Sequence, residues 1–238
     1  GEEWVWLDCR LFGNELPGLE EEGVKWMSPT VVIEDKQIFL NVPVRLPVND
    51  ARKLKQRMAD GENICAVQYL NRKSFAVACI LDKNGEQIAV HYVKGASQYV
   101  HQCKVQLERI EHSEKSSGTK NQPKANQKYW MKLKHLNEYW AHKASREILD
   151  FCLEHGAKVL TWEEYEENYS RAVMLAVGNW SALHLSTRIK QYLSYKAWSE
   201  GILLAPVKSF QIKKRKFYGG DKGLQRAKIV GRQCLDNF

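Results

Sequence analysis

Three strand-length runs set close together, Asn63 to Tyr69, Ser74 to Leu81 and Gln87 to Val93, constrain this chain more than any other feature. The links between them are short and polar: Asn71-Arg72-Lys73, then Asp82-Lys83-Asn84-Gly85. The second carries an Asn-Gly pair, which tight hairpins favour because both residues accept positive φ. Strands joined this tightly can only pair antiparallel. A helix is expected next, from Ala96 to Glu111, and then a polar stretch, residues 112–127, read as a mobile linker. A long helix from Lys128 to His155 stops at Gly156. The strand Ala157 to Trp162, the helix Ser186 to Glu200 ending at Gly201, and the strand Ile202 to Val207 complete the series.

Before this series, alternation in Glu3 to Leu7, Thr30 to Ile33 and Gln37 to Val44 predicts a small β-rich domain. A short charged helix, Asn49 to Ala59, is capped by Asn49 or Asp50 and ends before Gly61. The expected organisation is therefore a β-rich, wedge-like domain over residues 1–60 and an α/β domain over residues 61–238. With 238 residues, 44% hydrophobic and 27% charged, wholesale disorder and a small disulfide scaffold are excluded. No apolar run approaches the roughly 18 residues of a membrane span. The six cysteines form no C-x-x-C pair, and several lie in apolar runs. They read as reduced core residues of a cytoplasmic protein.

The net charge of +8 is concentrated in one place. Residues 208–238 carry nine cations (Lys208, Lys213, Lys214, Arg215, Lys216, Lys222, Arg226, Lys228, Arg232) and two anions, Asp221 and Asp236. Such a basic tail suits a polyanion, and the aromatics Phe210, Phe217 and Tyr218 among the cations favour nucleic acid. Anionic lipid would answer the same field, and a solvated tail that binds nothing is the bland alternative. A second basic stretch includes Lys128, Lys132, Lys134, Lys143 and Arg146. There, Trp130, Leu133, Leu136, Trp140 and Ala144 recur at helical spacing and are assigned to a core, leaving the lysines on the wet face.

The element order, three strands, helix, helix, strand, helix, strand, is that of a ribonuclease H-like α/β fold with a mixed sheet and flanking helices. Several segments also resemble TnpB-type transposon proteins and miniature type V CRISPR effectors. Residues 156–165, Gly-Ala-Lys-Val-Leu-Thr-Trp-Glu-Glu-Tyr, are similar to the segment around that family's second RuvC carboxylate. His142-Lys143-Ala144-Ser145 resembles its His-Lys-x-Ser helix, and Tyr195-Lys196-Ala197 with Gly201-Ile202 resembles a later passage. Residues 26–44 resemble the wedge strands that precede RuvC.

The resemblance implies a divalent-metal nuclease site built from three carboxylates, and the departures from it carry the functional expectation. Gln68 stands where the first Asp belongs, and an amide lacks the charge to hold divalent ions. Glu163 matches the second carboxylate. Asp221 is the candidate for the third, with Asp236 behind it. No zinc ribbon follows Ser209, and the family's N-terminal recognition region is missing. The chain is thus expected to be a fragment or half of a split effector, joined by a separate N-terminal part or a second protomer.

The bland readings stand beside these. Glu163 opens an acidic run and reads equally as an exposed acid; Gln68 reads as a hydrogen-bonded core amide, and His142 as a packed histidine. Three functions follow. The first is a nuclease-deficient protein that binds guide RNA and target DNA, with no cofactor. The second is an active Mg²⁺-dependent endonuclease whose first carboxylate comes from elsewhere, Asp82 being the nearest strand-borne acid. The third is a structural subunit of a nucleoprotein complex.

Overall fold

The three apolar runs do pair as an antiparallel set, and they form one side of a larger sheet, out to its edge. The computed structural model describes residues 25–34, 37–45, 50, 52–70, 74–118, 125–164, 180–209 and 221–236. It separates into two units, Gly1–Asn49 and Asp50–Phe238.

In the first unit, β1 (Lys25–Trp26) pairs antiparallel with β4 (Val44–Arg45), and β2 (Thr30–Glu34) with β3 (Gln37–Asn41). The run Gln37 to Val44 is divided because Pro43 has no N–H for a ladder; its carbonyl instead accepts from Met27 N at 2.8 Å. The strand expected at Glu3 to Leu7 lies outside the described residues.

The second unit opens with α1 (Leu54–Ala59). Neither Asn49 nor Asp50 caps it. Lys53 is the cap residue, and Gln56 Oε1 accepts its backbone N–H at 2.7 Å. Asp50 instead binds Arg52, whose guanidinium holds the carboxyl far below the usual carboxylate range. Arg57, 1% exposed, donates to the carbonyls of Lys158 and Gly201. That fastens α1 to this unit, so the helix does not belong with the β-rich segment before it.

The sheet contains β5 (Asn63–Tyr69), β6 (Ser74–Leu81), β7 (Gln87–Lys94), β8 (Ala157–Glu164), β9 (Leu203–Leu204) and β10 (Val207–Lys208). Its order is β10-β8-β5-β6-β7, with β9 also on β8. The pairs β5–β6 and β6–β7 are antiparallel; β8 is parallel to β5, β9 and β10. The strand read as Ile202 to Val207 is broken at Ala205-Pro206, where Ala205 N donates to Leu160 O and Thr161 Oγ1 donates to Ala205 O.

Four helices cover the sheet: α2 (Ala96–Ser117), α3 (Gln127–Glu154), α4 (Trp180–Ser199) and α5 (Lys222–Asp236). The first three lie on one face, where Cys65, Val67, Ala78, Ile80, Leu160 and Trp162 meet Tyr99, Trp140, Ile148, Ile189 and Leu193. The other face is covered by α5, whose Ala227, Val230 and Cys234 meet Val77, Leu81, Ile64 and Val159.

Two expectations are corrected here. Residues 112–117 are not linker but the end of α2, sustained by the Lys115–Glu111 ion pair and stopped by Gly118 at φ 65°. Residues 119–124 lie outside the description. The end of the basic tail is not solvated charge: Lys222–Asp236 form α5, an amphipathic helix packed on the sheet.

Two glycines are required by close approach. Gly95 precedes α2 at φ 106°, and a Cβ there would run into the Trp140 ring. Gly231 lets α5 sit directly on the sheet, where a Cβ would strike Leu81 and crowd Ala66 at 3.1 Å.

Candidate functional site

Strand register brings the candidate residues into one row. Val67 pairs with Trp162 across the parallel β5–β8 ladder, so Gln68 and Glu163 are the next residues on neighbouring strands. Gln68 also pairs with Val77, Val77 with Tyr92, and Glu163 with Val207. Alternation points this row toward α5, because Ala66, two residues before Gln68, touches Gly231 of that helix.

Glu163 is not the exposed acid of a charged run: it is 3% exposed. Arg226 of α5 closes on it with two donors, Nε to Oε2 at 2.8 Å and Nη2 to Oε1. Ser209 Oγ, just beyond β10, donates to Oε1 at 2.9 Å. A bidentate guanidinium is the strongest ordinary counter-ion for a carboxylate, and burial makes it necessary. Lys190 of α4 adds a second cation, its Nζ 3.3 Å from the Glu163 carbonyl and 5.1 Å from the centre of the Tyr69 ring. Burial pushes the Lys190 pKa down, with Glu164 and Glu163 opposing.

Gln68 is a half-satisfied amide. Its Nε2 donates to Tyr69 O at 3.1 Å, while Oε1 is shielded from solvent and has no partner. The Tyr69 hydroxyl is likewise unpartnered, and burial raises its pKa.

Asp221 begins α5. Its Oδ1 accepts from the backbone N–H of Gly223 at 2.7 Å and Leu224 at 3.1 Å, and its Oδ2 from the Tyr92 hydroxyl at 2.6 Å. These bonds lower the Asp221 pKa and push that of Tyr92 up to about 12. Asp221 is therefore engaged at the β7 side of the row, while Glu163 is engaged on β8. Asp236 is the last residue of α5, away from the row. Asp82, the substitute acid of the active-nuclease reading, is not brought near Glu163. Its Oδ1 accepts from the N–H groups of Asn84 and Glu86 in the hairpin turn. The strand end it follows pairs Leu81 with Ile64, four residues or roughly 13 Å along the sheet from Gln68.

Of the basic candidates, Lys128, Lys132, Lys134, Lys143 and Arg146 are all exposed on α3. Arg146 pairs with Asp150 at 2.8 Å, and Lys143 lies 5.0 Å from the centre of the Trp140 ring. Lys208 and Lys222 are exposed and Lys228 is half-buried. Lys213, Lys214, Arg215 and Lys216 lie outside the described residues. Arg226, read from sequence as a phosphate contact, is placed on Glu163 instead.

Two of the segments that carry the family resemblance meet in the α3–α4 contact. His142 stacks on Tyr192 with ring centres 3.9 Å apart. Lys196 Nζ donates to His142 O at 3.0 Å and to the buried Ser145 Oγ at 2.8 Å. These residues splice two helices rather than face the row.

No protein-family model and no curated protein matches the sequence. Among solved structures, the chain is similar to a cryo-EM structure of a Cas12f1–sgRNA–target DNA complex: TM-score 0.53, 11% identity, covering 83% of this chain and 42% of that one. The fold is RuvC-like. A CRISPR–Cas12f ternary complex aligns at TM-score 0.40 and 14% identity, covering 78% of this chain and 35% of that one, a score that by itself shows no shared fold. The chain thus spans well under half the length of either structure.

A divalent ion held in such a fold needs several anionic oxygens. The donors here do not fit one: Glu163 is neutralised by Arg226, Gln68 is uncharged, and Asp221 caps a helix. Among the described residues, no group of three His, Cys, Asp or Glu converges. No described helix is long and apolar enough to cross a membrane.

Sequence reasoning missed Ser209 and Lys190, and it gave Arg226 a phosphate rather than Glu163 as its partner. The period of Ala227, Val230 and Cys234 was the available signal for α5, and it would have placed Arg226 one residue before its buried face.

Proposed function

We propose that this chain binds guide RNA and target DNA without cutting the DNA, as a nuclease-deficient counterpart of TnpB-type and miniature type V effectors. The observation that carries the reading is the Arg226 guanidinium on the buried Glu163 carboxylate, beside an amide in place of an acid. A cation bonded to that carboxylate stands against the magnesium chemistry that would activate water. The sgRNA and target DNA named for the Cas12f1 complex support RNA and DNA as the partners, and the exposed lysines of α3 supply phosphate contacts. The chain acts with further effector parts, supplied by a separate segment or a second protomer.

The test is to sequence the RNA that copurifies with the protein and to assay matched DNA with that complex. Retarded but uncut DNA in Mg²⁺ or Mn²⁺ is the expected result. Metal-dependent nicking abolished by Glu163→Ala overturns it, and random cellular RNA fragments reduce the reading to nonspecific binding. Affinity should also fall steeply from low to moderate salt, as phosphate contacts require; a scaffold that only joins proteins would ignore added RNA.

A further inference from the structure

We infer that the groove between α2 and α3 holds an unpaired nucleotide of a bound strand, with its base on Tyr139 and its backbone along α3. The inference rests on the nucleic-acid reading above and gives it a place. The groove encloses about 480 Å³, lined by His101, Gln102 and Gln106 of α2 and by Lys132, His135 and Tyr139 of α3.

Its walls are fixed by two bonds between the helices. The Tyr99 hydroxyl donates to Asn137 Oδ1 at 2.8 Å, and Trp140 Nε1 donates to Gln102 Oε1 at 2.9 Å. The second bond takes up the Gln102 oxygen and leaves its NH₂ as a donor. Gln106 Oε1 has no partner but is shielded from solvent. A nucleobase edge presents acceptors that suit the Gln102 donor.

Tyr139 supplies the stacking surface. It is 59% exposed, yet its ring sits edge-on to the buried Trp140 with centres 5.5 Å apart. A fixed aromatic face open to solvent is what sequence-tolerant single-strand binders use.

Charge points the same way. At 3.6 residues per turn, Lys128, Lys132, His135, Tyr139, Lys143 and Arg146 fall within roughly 80° of one another on α3. They form a basic stripe roughly 27 Å long with the aromatic ring near its middle. The neighbouring acids are already paired: Glu108 with Lys104 at 3.7 Å, Glu138 with Arg188 at 3.9 Å and Asp150 with Arg146. The lining sets apolar Val105 and Leu136 beside amide, imidazole and ammonium groups, a mixture that suits a base and its phosphate better than the wholly apolar face a docked helix presents.

The experiment measures fluorescence anisotropy of the full chain with two probes, a short fluorescein-labelled uridine homopolymer and its thymidine DNA counterpart. Tyr139→Ala and Lys132→Ala are each expected to weaken binding about tenfold, Tyr139→Phe to restore it, and Trp130→Ala, far around α3 from the stripe, to change nothing. Loss on the RNA probe alone assigns the groove to RNA, and loss on the DNA probe alone assigns it to a displaced DNA strand. If both α3 variants bind as the parent does while Lys208→Ala with Lys228→Ala weakens binding, the groove is wrong and the nucleic-acid reading stands. If the parent binds neither probe and no RNA copurifies, both fall.

Discussion

The two faces of the central sheet are built on opposite terms. Beneath α2, α3 and α4, the strands present mainly apolar side chains, His91 on Glu147 at the β7 edge excepted, and large aromatics fill the layer. Beneath α5, apolar contacts cover the start of the strands but give way to Gln68, Thr161 and Glu163 toward their ends. The first face is stabilised by volume and the second by charge pairing. On the second face a guanidinium, rather than packing volume, holds the buried carboxylate in place.

The largest effect should come from the apolar face. Leu160→Ala, at a fully buried position, should cost about 4 kcal/mol in urea unfolding, since nothing nearby can collapse into the void. Arg226→Ala should follow at about 3 kcal/mol, because it removes the bidentate counter-ion of the buried Glu163 carboxylate. The double variant Arg226→Ala with Glu163→Gln should recover part of that loss. If the single variant is neutral, the two faces do not differ as described. Gly231→Val should cost about 2 kcal/mol by forcing α5 off Leu81 and Ala66, read as a lower unfolding midpoint.

The smallest effect concerns Asp221. Asp221→Ala removes the α5 cap and should cost about 1 kcal/mol at neutral pH. Because the folded-state pKa is depressed, that contribution is complete above the ordinary value of 3.8 and disappears as pH falls through the lower folded value. The parent and the variant should therefore converge in acid, and urea midpoints at pH 7 and pH 3 check it.

What was legible in the sequence follows the same division. Alternating and continuous apolar runs gave β5 to β8 nearly to the residue, because strand burial leaves a direct trace in residue type. Gly156 and Gly201 marked the ends of α3 and α4 for the same kind of reason, both adopting positive φ. α4 begins six residues before the expected Ser186. α5 was hidden because its lysines and arginines are as many as its buried residues, and a charge count weighs them all alike. Glu163 was picked out by resemblance, but its partner lies 63 residues later, and no local pattern couples a carboxylate to an arginine at that distance.

That separation sets an order of events during synthesis. At 5–20 residues per second, Arg226 leaves the ribosome about 3 to 13 seconds after Glu163. Until then the acid keeps its water, and the sheet above it stays bare at one end. A nascent chain interrupted in that interval would expose Val77, Leu81 and Val159 together with an ionised glutamate, a surface for chaperones to hold until the last helix arrives.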